Sequence, residues 1–358
     1  MLHDIIFFVL GLVLLVLGAN YVTDGAVAVA RRFKVSNLII GLTVVALGST
    51  MPDIVVCVES AFQDKPALAM GEVIGANIFD LLLVVGIMGL VRPFKVSGIM
   101  RTQDLPILFI ASAALWIAGD SVLFDAAHHN VINRSSGIML IVIFVFYMWF
   151  MILSSKNKQL QDPDDSDDEV PSSEEAGSSQ SENVGIASAH STKCELSALK
   201  ADVAKLRSKH WFSWVMIVVG LGALVVGGNW VVDGASGLAL KIGMSQAMVA
   251  LTVVAIGNAL PDLVTSVTAT VKGASGIAFG NIVGSCIINA LLTIGLSALV
   301  IPLRADSIGF VDFITLVGAA ALLWVVPLMA KSRKIGRVFG IVLTLLYVAY
   351  MVFTVVRG

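Results

Sequence analysis

A proline and an aspartate stand side by side in the middle of a long apolar segment. Residues 38–62 contain Pro52 and Asp53, and no other charge precedes Glu59. An apolar run of this length spans a bilayer as a helix. An ionised side chain near its centre costs at least about 3 kcal/mol unless it is paired, hydrated or bound to a cation.

The residues before Asp53 offer further oxygen atoms. Pro52 cannot donate the hydrogen bond that the carbonyl of Gly48 would accept in a regular helix. Ser49 and Thr50 fall on the same helical face as Asp53. Hydroxyl, carboxylate and freed carbonyl oxygens are ligands of hard cations such as Na⁺ and Ca²⁺. The segment therefore predicts a loosened helix and a cation site inside the membrane.

The same arrangement returns in the second half of the chain. Asp262 minus Asp53 is 209 residues, and Pro261 again precedes the acid. The offset also relates Asn20 to Asn229, Asp24 to Asp233, Gly48 to Gly257, Gly71 to Gly280, Gly75 to Gly284 and Pro93 to Pro302. Polar residues that keep one register over this distance indicate a duplicated unit.

Each repeat carries a second polar patch in its third apolar run. In the first repeat, Asn77 and Asp80 lie three residues apart on one face, and Asn289 matches Asp80 in the second. The glycine pairs Gly71 with Gly75 and Gly280 with Gly284 allow close approach of a neighbouring helix. Asn77 alone is compatible with interhelical hydrogen bonding as well as with cation binding. Asp80 adds a third carboxylate, which a purely structural role does not explain.

The composition of the 358 residues is that of a polytopic membrane protein. Hydrophobic residues make up 57% and charged residues 13%, about half the charged fraction of soluble proteins. The three cysteines are scattered, and no metal-binding spacing or nucleophile and base pair stands in the apolar runs. We therefore expect neither an enzyme nor a nucleic-acid-binding protein.

Ten apolar runs predict an all-α protein with ten transmembrane helices, at about 5–26, 38–62, 67–91, 104–118, 136–154, 212–232, 245–271, 276–301, 308–330 and 335–356. If the N-terminus lies outside, 18 of the 23 Lys and Arg residues fall in the inner connections. Both termini are then extracytoplasmic, with a plasma or inner membrane favoured. Five helices per unit is an odd number, so the second repeat must be inverted, as in alternating-access transporters.

We predict a first five-helix repeat over 1–153, a cytoplasmic linker over 154–210 and a second repeat over 211–358. The linker is acidic and Ser-rich, which is typical of a disordered tether. Its last part has Leu196, Leu199, Val203 and Leu206 at helical spacing among basic residues, which predicts a short amphipathic helix at the membrane surface.

These motifs resemble the two α-repeats of the cation/calcium exchanger superfamily, here about 38–91 and 245–301, and the sodium/calcium exchanger branch most of all. The motif pairs are Gly-Ser-Thr-Met-Pro-Asp with Gly-Ala-Asn-Ile-Phe-Asp, and Gly-Asn-Ala-Leu-Pro-Asp with Gly-Ser-Cys-Ile-Ile-Asn. The resemblance implies a ten-helix antiporter of two inverted repeats. It would exchange calcium for sodium without a cofactor, and its partners would be the transported cations and the lipid bilayer.

The resemblance also assigns a site. Asp53 and Asp262 take the central acidic positions, and Asp80 and Asn289 the flanking ones, so these four are the expected metal ligands. The neutral members of the expected cation-binding set are Ser49, Thr50, Asn77, Asn258 and Ser285.

Some residues depart from the family pattern. The central acids are usually Glu and here are both Asp, Asn258 stands in place of a hydroxyl residue, and Asp80 lies in the first repeat. A proton/calcium antiporter, or one for another divalent cation, therefore remains open in the same fold. A cation channel is a less favoured alternative.

Two further acids, Glu59 and Glu72, fall toward the outer ends of their predicted helices, and their repeat partners are neutral. We expect them to be interfacial residues. The alternative is an outer vestibule that attracts cations.

Overall fold

The computed structural model describes residues 2–32, 46–98, 100–119, 131–158, 210–304, 308–329 and 334–357. Nine helices within these ranges are long and apolar enough to cross a membrane. The remaining predicted helix, 38–62, begins outside the described residues, and its described part is helical from Ala46. The predicted amphipathic helix and the acidic linker also lie outside the described residues.

We number the ten spans in chain order. Span 1 is Leu2–Arg32, span 2 Ala46–Ser49 with Met51–Phe62, span 3 Pro66–Ile78 with the π-helical Phe79–Val84 and Val85–Val91, span 4 the π-helical Met100–Asp104 with Leu105–Gly119, and span 5 Arg134–Lys158. Span 6 is His210–Ile242, span 7 Gln246–Val249 with the π-helical Ala250–Val254 and Ala255–Val271, span 8 Ser275–Ile288 with the π-helical Asn289–Thr293 and Ile294–Val300, span 9 Phe310–Met329, and span 10 Arg337–Arg357.

Span 6 is the span whose end differs most from the prediction. Its apolar run ends at residue 232, but the helix continues to Ile242. The charged residues of the added part have partners on other spans or loops: Asp233 pairs with Lys65, and Lys241 with Asp4. A helix can continue through charged residues that have partners, whereas the apolar run that defines the predicted span ends at the first of them.

The first spans of the two repeats run antiparallel. A Cβ added at Gly11 would meet Gly227, one at Gly18 would meet Gly220, and one at Gly25 would meet Ser213. As the residue number increases along span 1, the number of the residue that it contacts on span 6 decreases. Corresponding helices of opposite direction confirm the inverted repeat.

The repeats also exchange partners deeper in the fold. Span 3 packs against span 10, where Gly86 faces Gly340, and span 8 packs against span 5, where Gly295 faces Gly137. Two short antiparallel pairs join the same spans at their ends. Strand β1 (Phe94–Lys95) pairs with β4 (Lys334–Ile335), and β2 (Val131–Ile132) with β3 (Leu303–Arg304). Each repeat is therefore tied to the other at two symmetry-related places.

Spans 3 and 8 form the centre of the molecule. Their apolar stretches are 83% and 78% buried, whereas those of spans 1, 5, 6 and 10 are at most 33% buried. The peripheral spans expose large apolar side chains such as Phe146 and Val218. Such side chains face lipid in a membrane protein.

The glycine pairs of the two central spans behave differently. A Cβ on Gly75 would lie 2.7 Å from the Leu251 carbonyl oxygen, and one on Gly71 would lie 2.7 Å from the Cβ of Ala250. The predicted close approach therefore holds for span 3, which packs on span 7. Among the described residues, Gly284 has nothing within 4 Å of an added Cβ, whereas one on Gly280 would lie 2.6 Å from the Met100 Cε of span 4. Close approach to the backbone of a neighbouring helix is therefore described for span 3 and not for span 8.

The two prolines also act differently. In span 2, the helix stops at Ser49 and resumes at Met51, with Pro52 in the first turn of the new helix. In span 7, Pro261 lies inside a continuous helix from Ala255 to Val271. The expected loosening is thus found in the first repeat and not in the second. The Thr265 hydroxyl donates to the carbonyl oxygen of Pro261 at 2.9 Å, a back-bond within the same helix, so it does not replace the donor that the Gly257 carbonyl lacks.

Candidate cation site

A cavity of about 330 Å³ lies between the two repeats at the level of the two prolines. Asp53 and Asp262 both line it, together with Gly48 and Gly257, whose carbonyls lose their usual partner to Pro52 and Pro261. None of the described residues that line the cavity is a Lys or an Arg. Its other lining residues are Leu12, Val16, Ala19, Asn20, Ser49, Pro52, Asn258, Pro261, Thr265 and Asn281.

Asp53 is held by the opposite repeat. The Asn289 side-chain amide of span 8 donates to its Oδ2 at 2.7 Å, and the Thr293 hydroxyl donates to the side-chain Oδ1 of Asn289 at 3.3 Å. Asn289 is the first residue of the π-helical segment of span 8, and its side chain reaches across to span 2. This link brings two of the expected ligands together.

A second layer of polar groups lies behind the cavity wall. Asp80 is 2% exposed and its Oδ1 has no hydrogen-bond partner among the described residues. Asn77 is fully buried and donates to the carbonyl oxygen of Cys286 at 3.0 Å. Cys286 stands 209 residues after Asn77, so Asn77 bonds to its own repeat counterpart. A residue can reach its counterpart only near the pseudo-two-fold axis, which therefore passes beside the site.

Glu72 is not at the outer surface. Its side chain is 0% exposed, and the Asn258 amide donates to its Oε1 at 2.9 Å. Its carboxyl group is also near enough to that of Asp53 for the two to interact electrostatically. The expectation of an interfacial or vestibule position is wrong for Glu72, because span 3 is central and its second turn already packs against span 7. Glu59 is partly exposed near the end of span 2, where Gln63 donates to it at 3.2 Å.

The remaining expected ligands divide into two groups. Ser49 and Asn258 reach the cavity. Thr50 and Ser285 are buried, and their hydroxyls donate to carbonyl oxygens of their own spans, those of Leu47 and Ile282. Thr50 and Ser285 are thus not among the residues that line the cavity.

Three polar residues of the cavity were not predicted as ligands. Asn20 comes from span 1, Thr265 from span 7 and Asn281 from span 8. Asn20 had a signal in the sequence, because it is an amide in an apolar run and recurs as Asn229. The recurrence indicates the duplication, and it also marks Asn20 as a polar residue within the membrane.

Within the described parts of the chain, no three acidic, histidine or cysteine side chains lie close enough to hold one metal ion. Asp53, Asp262 and Asp80 are near enough to act on one another electrostatically, but they do not form a single ligand shell in this conformation. Two aspartates from opposite repeats, amides and freed carbonyls are the groups that meet at the cavity.

Comparison with known protein families identifies the family of this chain. The family described as sodium/calcium exchanger protein matches residues 3–153 and 212–356. The chain belongs to that family.

Individual relatives cover nearly the whole chain. The sodium/calcium exchanger MaX1 of Methanosarcina acetivorans is 27% identical over 96% of both chains. The inner membrane protein YrbG of Escherichia coli is 28% identical over 94% of this chain and 92% of its own. A solved structure of the sodium-calcium exchanger NCX_Mj, soaked with Na⁺ and Sr²⁺, superposes with a TM-score of 0.58 at 27% identity, covering 98% of both chains.

Proposed function

We propose that the protein is an antiporter that exchanges calcium for sodium across a membrane by alternating access. One observation carries the proposal: Asp53 and Asp262, from two inverted repeats, face one cavity whose described lining contains no cationic side chain. Membership of the exchanger family and the similarity to NCX_Mj support the choice of ions.

Charge compensation explains why such a site exchanges ions. Carboxylates in a low-dielectric interior carry a large desolvation penalty when they are unpaired. A bound Ca²⁺ or a set of Na⁺ ions removes this penalty, so a loaded site can reorient while a bare anionic site cannot. Under this mechanism, transport in one direction requires a cation to return.

We assign the roles as follows. Asp53 and Asp262 contact the cation, Ser49 and Asn258 supply neutral oxygens at the cavity wall, and Asn289 orients Asp53. Asp80 and Asn77, with Thr50 and Ser285, form the layer against which the site closes. Closure is needed because the acids do not form a single ligand shell in the described conformation.

The test is calcium uptake into proteoliposomes with sodium, potassium and proton gradients imposed separately. We expect an outward sodium gradient to drive calcium uptake, and Asp53→Asn to abolish it. Glu59→Gln is the matched control, because it removes an acid of the same span that does not line the cavity. Uptake driven only by protons would identify a proton/calcium antiporter instead, and flux uncoupled from any gradient would identify a channel.

We further propose that both termini are extracytoplasmic and that the 154–210 linker is a cytoplasmic tether. A membrane-impermeant maleimide should then label Asp64→Cys, but not Lys95→Cys, in intact cells. The native Cys57 and Cys286 are buried and should stay unlabelled. Deletion of 160–190 should leave the calcium dependence of transport unchanged.

A further inference from the structure

Glu72 has no role in the proposed exchange so far, yet it is among the most enclosed carboxylates of the described chain. Its side chain is fully buried, and its Oε2 has no hydrogen-bond partner among the described residues. A buried carboxylate oxygen without a donor is costly, so its retention in the centre of the protein needs a reason.

The neighbours of Glu72 connect it to the cavity. The Asn258 amide, which lines the cavity, donates to Glu72 Oε1 at 2.9 Å. The Asp53 carboxyl is near enough to interact electrostatically with Glu72, and Asn289 donates to Asp53 Oδ2 at 2.7 Å. Two neighbouring carboxyl groups of the first repeat are thus each held by an amide of the second repeat.

The repeat-related position shows that this pair is not required by the fold. The counterparts of Asn258 and Glu72 are Ser49 and Asn281, and both of these line the cavity. The inverted frame therefore accommodates a neutral pair at the equivalent place. The extra charge is particular to one side of the site.

We infer that Glu72 and Asp53 act as one paired carboxylate, positioned by Asn258 and Asn289, and that the second charge sets the preference of the site for a divalent over a monovalent cation. Two facing carboxylates repel each other unless a positive charge compensates them, and one Ca²⁺ compensates both. The inference rests on the proposed function, since it concerns selection among the transported cations.

The charge of the cation gives the expected pattern. Coulomb energy is proportional to the charge of the ion, so the loss of one carboxylate acts twice as strongly on Ca²⁺ as on Na⁺. A change that weakens Na⁺ binding about threefold should weaken Ca²⁺ binding about tenfold. The ratio of the two affinities must therefore fall when the charge of Glu72 is removed.

The experiment compares charge with shape in the full-length protein in lipid nanodiscs. Glu72→Gln keeps the size of the side chain and removes its charge. Glu72→Asn removes the charge by introducing the residue found at position 281, and Glu72→Asp keeps the charge. Equilibrium ⁴⁵Ca²⁺ binding and its competition by Na⁺ give the two affinities, and thermal unfolding without either ion reports the fold. Asp53→Asn and Glu59→Gln serve as the loss and no-loss controls.

We expect both neutral variants to lose at least about tenfold in Ca²⁺ affinity and to lose less for Na⁺, with Glu72→Asp closer to wild type. Glu72 is only a structural partner of Asn258 if the neutral variants lower ion-free stability but keep wild-type Ca²⁺ affinity. An equal loss in Glu72→Asp and Glu72→Gln would likewise overturn the inference.

The controls separate this inference from the proposed function. The paired carboxylate alone is refuted if wild-type protein binds Ca²⁺, Asp53→Asn does not, and the neutral Glu72 variants match wild type. Wild-type protein that neither binds Ca²⁺ nor exchanges it would refute the proposed function.

Discussion

The unequal surroundings of two repeat-related glycines give the sharpest test of the packing. A Cβ added at Gly75 would lie 2.7 Å from both the Leu251 carbonyl oxygen and the Ala255 Cβ, whereas one added at Gly284 meets nothing within 4 Å among the described residues. Replacement of Gly by Ala in a helix interior gains about 0.5–1 kcal/mol where space allows. Overpacking a tight contact costs about 1–3 kcal/mol, and backbone cannot rotate away from the new methyl group.

The two substitutions should therefore have opposite signs. We expect Gly75→Ala to be destabilised by about 1–2 kcal/mol net and Gly284→Ala to be stabilised by about 0.5–1 kcal/mol. Reversible unfolding of each variant in mixed micelles by increasing SDS measures the difference, which should be about 2 kcal/mol. Sodium-driven calcium uptake should fall in Gly75→Ala only, because its clash separates span 3 from span 7 beside the site.

Gly284→Ala is the matched control, since it changes the same residue type at the equivalent position of the other repeat. Equal destabilisation of both variants would contradict the reasoning. It would mean that both glycines lie at tight helix contacts, and that the described packing of span 8 is wrong.

Three further predictions concern the ends of the spans. Asp312→Asn should destabilise the fold by about 2–3 kcal/mol in the same unfolding assay. The buried carboxylate accepts hydrogen bonds from Arg357, from Tyr350 and from a backbone N–H. An unchanged unfolding midpoint would contradict this. Lys65→Ala should cost less than about 1 kcal/mol, since its ion pair with Asp233 is 3.5 Å long and largely exposed on the aspartate side; a larger loss would indicate a tighter pair. Lys95→Cys with Lys334→Cys should form a disulfide on mild oxidation, because the two residues are paired in register, and a gel shift after proteolysis in the linker detects it.

The fold was predictable because hydropathy and repetition are local or periodic properties of the sequence. Apolar runs mark the spans, and the constant offset of Asn, Asp and Pro marks the duplication. An odd number of spans then fixes the inversion, which the antiparallel glycines of spans 1 and 6 confirm. The unequal roles of Gly75 and Gly284 were not predictable, since they depend on which helix lies opposite each glycine.

The distance of Glu72 from the start of its own helix gives the wrong depth for this residue. Residues in an antiparallel hairpin lie at the same depth when they are equally far from the turn. Cys57 and Ala69 meet across the hairpin of spans 2 and 3, where the cysteine thiol donates to the alanine carbonyl oxygen at 3.6 Å. Counting from this pair places Glu72 within one residue of the level of Asp53. The turn at Gln63–Lys65 was visible in the sequence, so this register could have been inferred.

The site combines a symmetric frame with an asymmetric charge. Asn77 bonds to its own repeat counterpart, so the frame is symmetric about an axis beside the cavity. The first repeat nevertheless supplies three acids of the region, Asp53, Glu72 and Asp80, and the second supplies Asp262 with the amides of Asn258 and Asn289. Amides can donate to carboxylates, whereas carboxylates facing carboxylates would only repel. Three of the four acids come from the first repeat, and amides of the second repeat donate to two of them. This arrangement allows four carboxyl groups near one cavity while the two repeats still bind each other, and it leaves a positive ion as the group that can complete the charge balance.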